Sequence, residues 1–149
     1  MDFLPVSLNI TGKKILIVGG GGVAFQKLQT LRKFTSAIAL LAPVFSDEII
    51  KSGFKRIKKE YSPKYLKGFF LVYACTDDKK LNARIKKDAD KKRLLVNVAD
   101  DPANCDFISS AIYKKGSMVV AVSSGGKNVK KTVEWRNGIK DYLNDHMPK

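Results

Sequence analysis

The chain is 149 residues long, 44% hydrophobic and 28% charged, which suits one globular domain able to bury a core without disulfides or a structural metal. Lys and Arg number 28 against 14 Asp and Glu, a formal net charge of +14; the excess either attracts polyanions such as nucleic acid, acidic lipid or a polycarboxylate, or serves solubility alone. Two cysteines without a C-x-x-C pair and a single histidine, His146, speak against a metal site, and no apolar run reaches the roughly 20 residues that span a bilayer.

In chain order, Leu4–Leu8 offers a segment that could join a sheet edge or fold over a nucleotide end. Lys13–Val18 is a short β-rich apolar run and reads as a buried strand. Gly19 to Gly22 follow, and then Val23, Ala24, Leu28 and Leu31 recur at helical spacing up to about Phe34. Ala37–Leu41 is the next strand, ended by Pro43; Ser46, with Asp47 and Glu48 behind it, starts a short helix to about Ser52. Phe54–Lys59 alternates apolar and basic residues, as an edge strand does, whereas Phe69–Cys75 is the most apolar segment and should be central. Asp77 and Asp78 open a polar helix to about Lys91, Leu94–Val98 is a further strand, and Asp100–Asp106 reads as a loop around Pro102. Phe107–Tyr113 and Met118–Val122 flank Lys115-Gly116 as a tight hairpin, and a last amphipathic helix runs from about Val129 to Leu143. The basic residues of Lys55–Lys67 and Lys79–Arg93 lack the interleaved aromatics of a single-strand-binding platform, so no nucleic-acid partner is expected.

Strands alternating with helices predict an α/β fold with a mostly parallel sheet covered on both faces. Within it, the first strand runs directly into Gly19-Gly20-Gly21-Gly22-Val23-Ala24, which satisfies G-x-G-x-x-A in the strand–turn–helix context that the pattern requires. Gly19 permits the tight turn, Gly21 lets the backbone approach a pyrophosphate, and Ala24 lets the helix pack closely on the strand. The helix N-terminus then offers free N–H groups to phosphates. This predicts a Rossmann-type nucleotide-binding domain, against the plainer reading of a tight structural turn. The acid that usually grips the adenosine ribose about 20 residues on is absent. The second strand runs out through Leu41-Ala42-Pro43-Val44, with no carboxylate and no adjacent Arg, so these residues leave NAD and NADP equally open.

Several further motifs then carry a resemblance: Leu4-Pro5-Val6, Gly19–Ala24 with Lys27, Ala74-Cys75-Thr76-Asp77-Asp78, Asn97-Val98-Ala99-Asp100-Asp101-Pro102, Cys105-Asp106-Phe107 and Val120-Ala121-Val122-Ser123-Ser124-Gly125-Gly126. Together, in this order and spacing, they resemble the NAD-binding domain family of precorrin-2 dehydrogenase and siroheme synthase, from the first residues to about Gly126. The resemblance implies oxidation of precorrin-2, an octacarboxylate, to sirohydrochlorin with NAD as hydride acceptor. It implies that Gly19, Gly20, Gly21, Gly22, Val23 and Ala24 form the pyrophosphate turn, that Ala42, Pro43 and Val44 flank the adenosine, and that Thr76, Asp77 and Asn97 lie beside the cofactor. Asp100 takes the position of the family's catalytic carboxylate, and Ser123, Ser124 and Gly125 lie beside the tetrapyrrole. The competing reading of Asp100 is a turn cap before Pro102.

The chain departs from the family after Gly126, where Lys127-Asn128-Val129 replaces the usual Ser-Pro and a single helix stands in place of a helical dimerisation region. The expected division is therefore residues 1–126 as the Rossmann NAD-binding domain and 127–149 as a truncated helical extension. The short end leaves three functions to separate: the dehydrogenase, a non-catalytic NAD-binding regulatory module, and a sirohydrochlorin ferrochelatase independent of NAD. A cytoplasmic protein without a membrane partner, with the homodimer as one open assembly, completes the expectation.

Overall fold

The computed structural model describes residues 1–147. The chain divides into two compact units, Pro5–Phe107 and a second made of Met1–Leu4 with the chain from Ile108 onward. The hairpin thus groups with the last helix, where the division expected from sequence, at Gly126, separates the two.

The larger unit holds β1 (Ile15–Val18), α1 (Gly22–Leu31), β2 (Ile38–Ala42), α2 (Asp47–Lys51), β3 (Lys55–Lys58), β4 (Leu71–Ala74), α3 (Lys79–Lys91) and β5 (Leu95–Val98). The five strands form one sheet in the order β3-β2-β1-β4-β5, and every pairing is parallel. Both faces of the sheet are buried along β1, β2 and β4, which is why those strands are short continuous apolar runs. Alternate residues serve opposite layers. Leu16, Val18, Ala39, Leu41, Val72, Ala74, Val96 and Val98 meet Ile85 and Ala89 of α3. Ile15, Ile17, Ile38, Leu40, Leu71 and Tyr73 meet Ala24, Leu28 and Leu31 of α1 and Ile49 of α2. Burying one such Leu or Ile stabilises the fold by roughly 1.5–3 kcal/mol. β3 lies at the edge, as its pattern predicts, and β4 lies inside the sheet between β1 and β5, while the central strand is β1.

From β1 the chain moves outward through β2 to β3, then returns past β1 to β4. The carboxyl ends of β1 and β4 therefore mark the point where the strand order reverses, the place where open α/β sheets bind ligands. Local chemistry delimits the helices. The Ser46 hydroxyl accepts from Ile49 N at the start of α2, and the Asp78 carboxylate accepts from Lys80 N (2.8 Å) and Leu81 N (3.1 Å) at the start of α3. The crossover from β3 to β4 contains a one-turn 3-10 helix, Pro63–Leu66, that the sequence reading did not predict. Tyr61 and Leu66 anchor it in the core, and the Tyr61 hydroxyl donates to Asp88 at 3.2 Å. Burial and the neighbouring Asp88 carboxylate push the Tyr61 phenol well above its ordinary range.

The smaller unit pairs β6 (Ala111–Lys115) with β7 (Met118–Val122) as an antiparallel hairpin packed on α4 (Val129–His146). Tyr113 hydroxyl donates to Asn144 Oδ1 at 2.7 Å, and an Arg136 guanidinium N–H donates to the Ile112 carbonyl at 3.1 Å. Three expectations need correction. The strand expected at Phe107–Tyr113 starts only at Ala111; Phe107 ends the larger unit, where its ring packs edge-on against Tyr73, 5.4 Å between centroids. The last helix continues past Leu143 to His146, whose ring stacks on Tyr142 one turn back. Leu4–Leu8 forms no strand, and Leu4, Val6 and Leu8 are exposed.

Candidate functional site

The four consecutive glycines divide into two pairs with different work. Gly19 has φ +142°, and a Cβ there would lie 2.5 Å from the Cys75 carbonyl oxygen, so close approach of β1 and β4 at their carboxyl ends requires glycine. A Cβ on Gly20 would lie 1.9 Å from the Val44 carbonyl oxygen, and the Gly20 carbonyl accepts from Ser46 N at 2.8 Å. Gly19 and Gly20 are thus closed against the chain itself. Around Gly21 and Gly22 the reverse holds: an added Cβ would meet nothing within 4 Å, and both residues are exposed. Gly21 is the N-cap of α1, no side chain caps that end, and no acidic residue stands in its first turn. The N–H groups and the positive dipole end of α1 are left for an outside anion. Val23 is exposed beside them, while Ala24 is fully buried against β1, the close packing that its small side chain permits.

At the end of β2, Ala42 is buried, whereas Pro43 and Val44 are exposed and Val44 shows 74% of its surface. Thr76 follows β4 and is pinned by Asn82 of α3. The Thr76 hydroxyl lies 2.7 Å from Asn82 Oδ1, Thr76 N donates to the same oxygen at 3.2 Å, and Asn82 Nδ2 donates to the Thr76 carbonyl at 2.9 Å. The sequence reading missed Asn82. Its signal was a polar residue on the apolar stripe of α3 with Ile85 and Ala89. Asp77 is exposed and, unlike Asp78, caps nothing.

Asn97 of β5 is buried on the α1 side of the sheet. Its Nδ2 donates to the Phe107 carbonyl at 3.0 Å, which fixes the amide's orientation and leaves Oδ1 buried without a partner. After β5 the chain turns through Asp100, whose φ of +59° is left-handed and strained for a residue with a Cβ. The turn is held by its neighbours. Asp101 Oδ2 accepts from Asn104 Nδ2 at 2.7 Å, and the Cys105 thiol accepts from Val98 N at 3.1 Å and lies 3.2 and 3.3 Å from the carbonyls of Val98 and Asp101. The exposed Asp100 carboxylate makes no hydrogen bond or ion pair among the described residues. Asp101 stands at the N-terminal position of the 3-10 turn Pro102–Asn104, and its carboxylate bonds the Asn104 side chain rather than a backbone N–H. Burial pushes the Cys75 thiol up to about 12, partly countered by Lys27, and Asp100 and Cys105 add to the rise. Burial also raises Cys105, against the lowering effect of its bond from the Val98 backbone. Neither thiol is a thiolate at neutral pH, so neither is a ready nucleophile.

In the smaller unit, the Ser124 hydroxyl accepts from Asn128 N at 2.8 Å and lies 3.1 Å from the Thr132 hydroxyl, which itself donates to the Asn128 carbonyl at 2.7 Å, so Ser124 is engaged in starting α4. Ser123 is exposed and its hydroxyl accepts from Gly125 N at 3.1 Å, where Gly125 sits at φ +62°. Among the described residues, no three His, Cys, Asp or Glu side chains gather to hold a metal ion, and no helix is long and apolar enough to cross a membrane.

The residues fit a dinucleotide on two observations: open space and unclaimed amides at Gly21 and Gly22, and the orphaned Asn97 Oδ1. Known proteins agree. The chain is similar to the siroheme synthase of Photorhabdus laumondii, 39% identical over 131 residues that cover 85% of this chain and 28% of that protein. It is likewise similar to the siroheme synthase of Blochmanniella floridana, 33% identical over 97% of this chain and 37% of that protein. It therefore spans little more than a third of these relatives' length, or less. Among solved structures, SirC, a precorrin-2 dehydrogenase, superposes with a TM-score of 0.79 at 25% identity, covering 98% of this chain and 71% of that one. The family model described as "Putative NAD(P)-binding" matches residues 6–111, most of the chain and the whole parallel sheet, and the protein belongs to that NAD(P)-binding family.

Proposed function

We propose that the chain carries out the NAD-dependent oxidation of precorrin-2 to sirohydrochlorin in siroheme biosynthesis. The similarity to siroheme synthases and to SirC supports the pathway, and the family supports the cofactor. The observation that carries the reaction is an uncommitted carboxylate, Asp100, at the same carboxyl end of the sheet as an open glycine turn.

The reaction removes a hydride and a proton. When bound, the nicotinamide supplies the hydride acceptor. The α1 amides from Gly22 onward would hold the pyrophosphate, Pro43 and Val44 would flank the adenosine, and Thr76, Asp77 and the Asn97 amide would lie beside the cofactor. Asp100 Oδ accepts the proton from the substrate. Its strained backbone and missing partners suit a group held out for that task rather than for the fold. Ser123, Ser124 and Gly125 are the tetrapyrrole contacts in this reading. The Ser124 hydroxyl is engaged at the start of α4, with Asn128 N and the Thr132 hydroxyl, so Ser123 is the freer of the two serines toward substrate.

The test is a titration of precorrin-2 and NAD followed by absorbance of the more conjugated product. Turnover that needs both supports the reading. NAD binding without turnover replaces it with a regulatory module, and metal insertion without NAD replaces it with a chelatase.

A further inference from the structure

The end of the sheet opposite the glycine turn carries a second cleft that the dehydrogenase reading does not use. Its volume is about 440 Å³, within the range of small-molecule sites. Lys14 just before β1, Lys55 at the start of β3, and Lys64 and Lys67 of the crossover line it, and no Asp or Glu does. Its apolar walls include Ile57, Tyr65 and Phe69. We propose that this cleft binds a small organic polyanion with a flat apolar body, at a site separate from the nucleotide turn.

The cleft follows from how β3 connects to β4. A parallel crossover usually carries a helix that covers the sheet. Here the crossover holds only the 3-10 turn Pro63–Leu66, so the face over β2 and β3 is incompletely covered beside Ala39 and Ile57. Apolar surface is left at the floor, and the lysines stand around it. Among the described residues none of the four ammonium groups forms an ion pair; the one ring contact among them is Lys64 over Tyr65, at 5.1 Å. Elsewhere the chain does pair its cations, as Lys86 does with Asp90 and Asp106. Four like charges about one concavity repel one another and focus a positive potential, which an entering anion relieves. Lysine is a point charge that takes carboxylate and phosphate alike, without the bidentate geometry of arginine. The shared ligand chemistry is thus several anionic groups on a ring body, from either a polycarboxylate macrocycle or a nucleoside polyphosphate. The length of β1 separates this cleft from the glycine turn by roughly 15 Å at a strand's rise per residue.

Pyrenetetrasulfonate, a flat fluorescent tetra-anion, is the probe, read by anisotropy at about 0.1 M salt, where exposed charges act over about 10 Å. Saturable binding is expected in the wild type and, unchanged, in Gly21→Asp, in which the nucleotide turn is blocked. Lys55→Glu/Lys67→Glu should weaken it at least about tenfold while NAD affinity stays the same. Lys64→Glu, outside the sheet, is the second variant should the double one fail to fold, and it should weaken the probe in the same direction. Displacement by uroporphyrin identifies a polycarboxylate macrocycle as the source, and displacement by ATP a nucleoside polyphosphate. No saturable binding in the wild type, equal affinity in the folded lysine variants, or displacement by neither competitor overturns the proposal.

Discussion

The two halves of the glycine turn should respond oppositely to an added side chain. In Gly20→Ala the new Cβ would sit 1.9 Å from the Val44 carbonyl oxygen, well inside any real contact. The obstacle is backbone, and it lies next to the 2.8 Å bond from Ser46 N to the Gly20 carbonyl, which fixes the start of α2. Relief needs a main-chain shift of about an ångström, and overpacking of that kind costs about 1–3 kcal/mol or more. For a chain of this size, a loss of about 3 kcal/mol lowers Tm by roughly 6–12 °C. Gly21→Asp meets open space at φ −101°, an extended backbone that any residue adopts. Aspartate is also a better N-cap than glycine by a few tenths of a kcal/mol. Its stability should therefore equal or slightly exceed the wild type. The carboxylate would nevertheless occupy the place of the pyrophosphate and claim an amide meant for it. Losing charge-assisted bonds worth about 3 kcal/mol weakens NAD more than about a hundredfold. Thermal unfolding and calorimetric titration of both variants check the pair. A folded Gly21→Asp variant that binds NAD as the wild type does would refute the site, and a Gly20→Ala variant as stable as the wild type would refute the division of the turn.

Asp100→Asn should keep fold and NAD binding, because asparagine also tolerates a left-handed φ, yet lose precorrin-2 turnover by about 10²–10⁴-fold; Asp101→Asn, which can still accept from Asn104, should lose far less. Steady-state rates on both variants decide this, and wild-type turnover in Asp100→Asn sinks the assignment. Raising salt should weaken the apparent affinity for the octacarboxylate markedly and that for NAD less, if the +14 charge recruits substrate; equal indifference of both would reduce the charge to solubility. The Cys75 thiol, raised from 9.0 to about 12 by burial, stays protonated in the folded chain where the unfolded chain loses its proton. Its contribution is complete below pH 9 and is lost as pH climbs toward 12, by about 1.4 kcal/mol per unit. Urea midpoints at pH 8 and about pH 10.5 should show the drop, and Cys75→Ala should flatten it; an identical slope in that variant assigns it to other groups, Tyr61 among them.

Sequence by itself determined the α/β class, the edge place of β3 and the interior place of β4, because a strand buried on both faces leaves an apolar run and an edge strand does not. It also located the starts of α2 and α3, since Ser46 and Asp78 carry the oxygens that capping needs within a few residues of the groups they cap. The strand–glycine–helix turn was legible for the same reason: its parts are contiguous. Only tertiary structure decided what depends on residues far apart in the chain. Gly20 needs to be glycine because Val44 passes over it, and Asn82 fixes Thr76 from another element. Asn97 Oδ1 is orphaned because Phe107 takes the other end of the amide, and Asp100 is free because Asp101 and Cys105 hold the turn. The lysine cleft belongs to this second class too. Lys14, Lys55 and Lys67 are scattered in sequence, and parallel pairing brings the starts of their strands to one end of the sheet. A local pattern can be read wherever its physical cause is local; a site assembled by strand pairing becomes visible only when the sheet has brought its pieces together.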